Sequence, residues 1–237
     1  MPGGDRPLLA LCLADLHSSL TALRRLDRFL AARAGDLALV LAAGDITIPG
    51  HEAYADAFIA TVERHGLPLL LVHGNNDPAA AVEVFRRRGV TIHRRERELF
   101  GIRFVGFGGD GMAPHDLELA DGEQAALDPS GAILLTHVPP PRLRYGADTA
   151  GAARQTSASQ TEWGTQAGPG ARRGTYALAP RAHICGHIHH QEGVGYLGAT
   201  KVIKVGAAML NRCATLDLRT LRAEFGSLDP AGVPHRT

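Results

Sequence analysis

No run in this chain approaches the ~18 consecutive apolar residues that a membrane-crossing helix needs. The early apolar stretch 8–14 ends in Asp15 without a small-residue cleavage site, so neither a membrane anchor nor an export signal is expected. Cysteine is scarce and odd in number: Cys12, Cys185 and Cys213 lie far apart in apolar runs and form no CxxC pair. That pattern excludes a disulfide framework and a thiolate zinc site, and it predicts buried free thiols in a reducing compartment, the cytoplasm. An excess of either charge is also lacking, with 25 Lys and Arg against 24 Asp and Glu. No global field draws the chain to nucleic acid or to an anionic membrane. Trp163 is the only tryptophan, set in a polar stretch as either a lid anchor that stacks on a base or a local packing pin. The glycine-rich segment 106–111 lacks the Gly-Lys-Ser/Thr ending of a phosphate-binding loop and reads as a bend between hairpin strands.

What is present is a regular alternation. Residues 7–14 form a continuous apolar run, the pattern of a strand buried on both faces, and Ser18 or Ser19 can cap an amphipathic helix over 20–34. Strands over 37–43 and 67–72 then alternate with helices over 51–65 and 79–88. Strand, crossover helix and next strand make a parallel sheet, whose functional groups collect beyond the carboxyl ends of its strands. After Gly89 come short, turn-separated segments at 91–94, 99–101 and 102–107, then apolar strands over 132–136 and 181–185. The segments 194–197, 201–205, 214–218 and 222–225 have the character of antiparallel strands joined by tight turns. Residues 138–174 lack periodicity and are expected to be a flexible loop beside a site, while 229–237, with two prolines and a glycine, is expected to fray. With no internal repeat, 237 residues suit one α/β domain spanning 1–237.

Seven metal-ligating side chains follow these apolar runs: Asp15 and His17, Asp45, Asn75, His137, then His187 and His189. Each alone has a plain structural reading, such as a helix cap, a turn residue or a solvated imidazole. Their joint order is what a two-metal phosphoesterase site requires. Two divalent cations ~4 Å apart repel by roughly 16 kcal/mol at an effective dielectric of ~20, so an anion must sit between them. Asp45 is the natural bridge, because Gly44 permits a sharp exit from the preceding strand. Oxygen and imidazole ligands without thiolate suit Mn, Fe, Zn or Ni.

The pieces Asp15-Leu16-His17, Gly44-Asp45, Gly74-Asn75-Asn76-Asp77, Thr136-His137-Val138-Pro139-Pro140 and Gly186-His187-Ile188-His189 resemble the calcineurin-like metallophosphoesterases, most closely a prokaryotic branch of predicted phosphoesterases. The resemblance implies a four-layer α/β/β/α sandwich with two facing mixed sheets. It also implies that Asp15, His17, Asp45 and His189 hold one divalent ion and Asp45, Asn75, His137 and His187 the second. The implied reaction is in-line attack on phosphorus by hydroxide bridging the two ions, on a small phosphate-ester substrate.

Two departures from the family pattern bear on function. Asn76 stands where many members carry a histidine that protonates the leaving oxygen, so either the substrates have good leaving groups or His115 or His51 substitutes as the acid. Residues 174–180 leave barely two turns for the helix that relatives place before the strand leading to the last histidine pair. Asp77 reads either as a support behind the ligands or as a simple helix cap. Lacking the usual acid, the chain is expected to be a phosphodiesterase, with a phosphomonoesterase or nucleotide phosphatase and a non-catalytic interaction scaffold as alternatives.

Overall fold

The computed structural model describes residues 7–109, 127–140, 143 and 180–229. Two mixed sheets face each other. The first runs β11-β10-β1-β2-β3, from β1 (Leu9–Leu13), β2 (Leu37–Ala43), β3 (Leu69–Val72), β10 (Cys213–Asp217) and β11 (Ala223–Gly226). The second runs β4-β5-β6-β7-β9-β8, from β4 (Arg95–Leu99), β5 (Ile102–Phe107), β6 (Ile133–Thr136), β7 (Ala182–Cys185), β8 (Gly193–Leu197) and β9 (Thr200–Lys204). Parallel pairing joins β1, β2 and β3 in one sheet and β5, β6, β7 and β9 in the other; β10 and β11 extend the first antiparallel beyond β1, with β3 as its parallel edge, and β4 and β8 close the second antiparallel. This is the expected α/β sandwich.

The period-2 direction of strand side chains sets the layers. Ala10, Cys12 and Ala14, with Leu39, Leu41 and Ala43, point inward against Phe104, Ile133, Leu135, Ile184 and Ile203 of the opposite sheet. The alternate residues Leu11, Leu13, Val40 and Leu71 face outward under three helices, α1 (Leu20–Arg33), α2 (Ala53–Arg64) and α3 (Ala79–Arg87). Strands buried on both faces cannot alternate with polar residues, which is why β1 to β3 read as unbroken apolar runs. Ser19 caps α1, its hydroxyl accepting from Ala22 N–H at 3.2 Å. All three cysteines are buried free thiols. Among the described residues no helix is long and apolar enough to cross a membrane.

One segment differs from the sequence reading. The hairpin after α3 is formed by β4, an Arg-Glu-Arg-Glu-Leu edge strand, and not by residues 91–94, which make only isolated bridges at Thr91 and His93. An edge strand open to water carries charge on either face, and such charge also blocks pairing with another chain. Arg103 on β5 holds both Glu96 carboxylate oxygens, at 2.9 and 2.7 Å. The three arginines at the end of α3 likewise form surface ion pairs, with Arg86 on Glu83, Arg87 on Asp56, and Arg88 on Asp56 and Glu63. The proposed loop 138–174 lies almost wholly outside the described residues. So do all but the first residue of the tail expected to fray at 229–237, Trp163, and all but the last residue of 174–180.

On the outer face of β7, His183 is fully buried. Its Nε2 lies 2.6 Å from Thr136 Oγ1, whose hydroxyl donates to Val138 O at 2.8 Å. The single hydroxyl proton is thereby committed, so Nε2–H is the donor and Nδ1 is a lone pair without a partner among the described residues. Burial pushes the His183 pKa down from 6.5 to about 3. The residue therefore fixes the turn that presents His137 only while neutral. Between pH 6.5 and 3 the unfolded chain accepts a proton that the folded chain refuses, so the penalty is absent above pH 6.5 and grows as pH falls. At pH 5 it amounts to about 2 kcal/mol. Denaturant unfolding of the chelator-treated protein at pH 7.5 and 5.0 checks this: the loss on acidification should be about 2 kcal/mol smaller in His183→Gln than in the parent.

Candidate metal centre

The strand ends deliver the site. Asp15 and His17 follow β1, Asp45 follows β2, and Asn75 follows β3, all from the first sheet. His137 follows β6, and His187 and His189 follow β7, from the second. The β1 and β2 exits are zipped together by Asp15 N–H to Gly44 O (3.0 Å), His17 N–H to Asp45 O (2.9 Å) and Ser18 N–H to Ile46 O (3.0 Å). The two sheets are then tied at the rim, where His187 N–H donates to Asp15 Oδ2 at 2.9 Å and His137 Nδ1–H to Ala43 O at 2.8 Å, while Gly186 N–H to His137 O at 2.9 Å joins the β6 and β7 exits within the second sheet.

Turning seven polar side chains into one pocket strains the backbone. Asp15, His17, Asp45 and His187 all adopt left-handed φ values, of 55°, 46°, 52° and 76°. L-residues rarely accept that conformation, and such outliers gather at functional sites. Glycine supplies the rest of the freedom. Gly44 has φ 84°, and a Cβ on Gly74 would stand 2.1 Å from Asp45 Oδ1. Any side chain at position 74 would displace the carboxylate.

Six of the seven sequence-predicted ligands fall into two groups with converging donor atoms: Asp15, His17 and His189, and Asp45, His137 and His187. Asn75 joins the second, its Oδ1 lying 3.0 Å from His137 Nε2. Asp45 Oδ2 sits between the groups, 3.5 Å from His17 Nε2 and 3.2 Å from His137 Nε2. Asp15, Asp45 and His137 form a buried floor, while Asn75 and Asn76 are exposed at the mouth.

The donor set fits divalent metal. His137 Nδ1–H donates to Ala43 O at 2.8 Å, which fixes the tautomer and leaves Nε2 as a lone pair aimed into the pocket. Around that Nε2 stand Asp45 Oδ2, Asn75 Oδ1 and His187 Nδ1 at 3.0 to 3.2 Å. Across the pocket His17 Nε2 and His189 Nε2 are 2.9 Å apart. Lone pairs packed so closely require a positive species among them. A proton can serve, and this is why Asp45 raises the His137 pKa against the lowering effect of burial; a divalent cation serves with more charge and more ligands. Burial pushes His187 down to about 4 and lowers His189 as well, so both imidazoles are neutral and free to coordinate at neutral pH.

Asn76 and Asp77 have defined places behind the ligands. Asn76 grips the shared carboxylate twice, its backbone N–H donating to Asp45 Oδ1 at 2.8 Å and its Nδ2 to Oδ2 at 2.7 Å. Burial alone raises the Asp45 pKa, but these bonds and His137 overcome it and hold the carboxyl well below its ordinary range. Burial raises the Asp15 pKa, opposed by the charges of His137 and Lys204. Asp77 does not cap α3. It accepts from Thr47 N–H (2.7 Å), Thr47 Oγ1 (2.8 Å), Gly74 N–H (2.8 Å) and Ile46 N–H (3.3 Å), and so binds the β2 and β3 exits together. Of the two substitute acids, His51 is exposed in the turn before α2, and His115 lies outside the described residues.

A family model for the calcineurin-like phosphoesterases matches residues 8–191, most of the chain. The chain belongs to that family. No curated protein matches it. Among solved structures, TT1561 of Thermus thermophilus superposes with a TM-score of 0.65 at 16% identity, covering 94% of this chain and 99% of that one. A novel archaeal phosphodiesterase gives 0.53 at 12% identity, covering 92% and 98%. GAP50, described as the anchor in the inner membrane complex of Plasmodium, gives 0.60 at 10% identity, covering 95% and 86%. At such identities the likeness establishes the fold alone, which supports both a phosphodiesterase and an anchor.

The Asp77 strut is testable apart from turnover. An Asp77→Asn variant presents an amide donor where N–H groups already converge, so its affinity for Mn²⁺ should fall about 10- to 100-fold in calorimetric titration of the metal-free protein.

Proposed function

We propose that this chain is a dinuclear metal-dependent phosphodiesterase acting on small phosphate esters. The observation that carries the reading is the position of Asp45 Oδ2, within 3.5 Å of an imidazole of each ligand group. A carboxylate there supplies the negative charge that two adjacent divalent ions demand. Asp15, His17, Asp45 and His189 would hold one ion, and Asp45, Asn75, His137 and His187 the other. When bound, such ions supply a nucleophile from water at neutral pH and positive charge for the phosphoryl oxygens. The mixed oxygen and imidazole set suits Mn, Fe, Zn or Ni.

The chain's own residues set the preference among esters. Asn76 faces the shared carboxylate at the exposed mouth of the site, and a carboxamide has no proton to release at neutral pH. A missing leaving-group acid costs about 10²- to 10⁴-fold where the departing alkoxide is basic, and far less where it is stable. Diesters with good leaving groups therefore suit this site better than alkyl monoesters. The intact ligand set and the strained backbone that holds it weigh against a scaffold role, which needs neither. The near-neutral net charge gives no support to nucleic acid as substrate, and three buried thiols suit a reducing cytoplasm.

Turnover of bis(p-nitrophenyl) phosphate and p-nitrophenyl phosphate with added Mn²⁺ tests the reading. The diester should be the better substrate, and Asp45→Asn should lower kcat on it by at least ~10³-fold. Activity on neither ester with any of the four metals rejects the enzyme reading. Across aryl diesters, log rate should fall steeply as leaving-group pKa rises; a flat dependence would mean that another residue donates the proton.

A further inference from the structure

The loop His187–Gln191 contributes one imidazole to each ligand group, His189 to the first and His187 to the second. It belongs to no strand, since β7 ends at Cys185 and β8 starts at Gly193. Its backbone carbonyls must find partners elsewhere. Ala207 N–H donates to His189 O at 3.1 Å, and Arg212 Nη1 to His190 O at 3.2 Å. The remaining anchor is Lys204, the last residue of β9. Its side chain is fully buried, and Nζ donates to Ile188 O (2.9 Å), Val205 O (2.7 Å) and Gln191 O (3.3 Å).

Three carbonyls for three ammonium protons is full satisfaction of that head group. A buried ammonium is tolerated only when it is hydrogen-bonded in this way and offset by negative charge, which Asp15 and Glu192 supply nearby. No neutral side chain offers three donors from one atom. Ile188 O lies between the two imidazole-bearing residues and Gln191 O closes the loop, so one cation fixes both ends of the segment that serves both groups.

We propose that Lys204 is a positioning residue that pre-sets the His187–Gln191 loop for metal, and thereby links loading of the two ion positions. The proposal rests on the reading that these side chains hold two ions. Lys204 touches neither substrate nor ligand atoms, and it acts by holding Ile188 and Gln191 before any ion is bound. Without it, the loop must be ordered by the ions themselves, which weakens both positions together.

The test compares Mn²⁺ isotherms, by calorimetry on metal-free protein, for the parent, Lys204→Met and Lys201→Met. Lys201 is the control: it lies on the same strand, and its Nζ donates to Leu221 O at 2.7 Å, away from the loop. Lys204→Met should weaken binding at both positions about 10- to 100-fold. It should also raise the Mn²⁺ concentration for half-maximal activity, while kcat at saturating metal stays within about threefold of the parent. Lys201→Met should bind as the parent does. Parent-like affinity in Lys204→Met, whatever its thermal stability, overturns the proposal, as does an equal loss in Lys201→Met. A parent that binds no Mn²⁺ instead rejects the metal reading itself.

Should Lys204→Met fail to fold, the parent carries the test through the ¹⁵N resonance of the Lys204 ammonium. Opening that exposes Nζ also releases His187 and His189, so saturating Zn²⁺ should slow exchange of its protons at least ~10-fold by linkage. Exchange unchanged by Zn²⁺ overturns the proposal.

Discussion

Everything at this site depends on holding lone pairs closer than they would choose to be. Four imidazole nitrogens, two carboxylates and an amide oxygen converge, with several contacts near 3 Å. Such a cluster is unfavourable until positive charge enters it, so the fold must enforce the arrangement beforehand. The means of enforcement are visible. Backbone N–H groups of Asn76 and His187 donate to Asp45 and Asp15, a carbonyl fixes the His137 tautomer, and Asp77 gathers four donors from two neighbouring exits. Each of these bonds sits behind a ligand, which leaves the face towards the pocket open.

The two-sheet architecture explains why one carboxylate can serve two groups. β2 is an inner strand of its sheet, flanked by β1 and β3, so Asp45 emerges between Asp15 and Asn75. The opposite sheet brings β6 and β7 over the same rim, and the small residues Ala14, Ala43 and Gly186 allow the sheets to approach there, a Cβ on Gly186 standing 2.5 Å from Ala14 Cβ. Direct bonds from His187 N–H to Asp15 and from His137 Nδ1–H to Ala43 O then lock the approach. Sheet packing and site geometry are one constraint: a change in sheet separation would pull His137 and His187 away from Asp45 before it disturbed either sheet internally.

Much of this was legible in the sequence because parallel strands buried on both faces leave an unmistakable trace, an apolar run that stops abruptly at a polar residue. β1 through β3, β6 and β7 all show that trace, and their ends carry the candidate ligands. What escaped has a common physical character. The sheet to which a hairpin belongs is decided by long-range pairing, so nothing local told that β8 and β9 join the second sheet while β10 and β11 return to the first. β4 was hidden because an edge strand accepts charge on both faces. Asp77 could be a cap or a strut on local grounds alone, and only the positions of Thr47 and Gly74 decide it. Lys204 does carry a local signal, since a lysine between Ile203 and Val205, within an apolar strand, needs a buried set of acceptors.

The amide at position 76 shows how such a site exchanges one capability for another. A side chain at the mouth could donate a proton to a departing oxygen, or it could commit its donor to the carboxylate beneath it. Asn76 does the second, with both its backbone N–H and its side-chain amide directed at Asp45. A carboxylate so fixed stays ionised and keeps Oδ2 centred between the two ligand groups, which favours tight, correctly spaced loading. With that donor committed, the proposed reaction would leave Asn76 nothing to give to the departing oxygen. On the proposed reading, chemical discrimination among esters would then move from the protein to the leaving group, and a site rigid in its own geometry would favour esters whose departing oxygen is already stable as an anion.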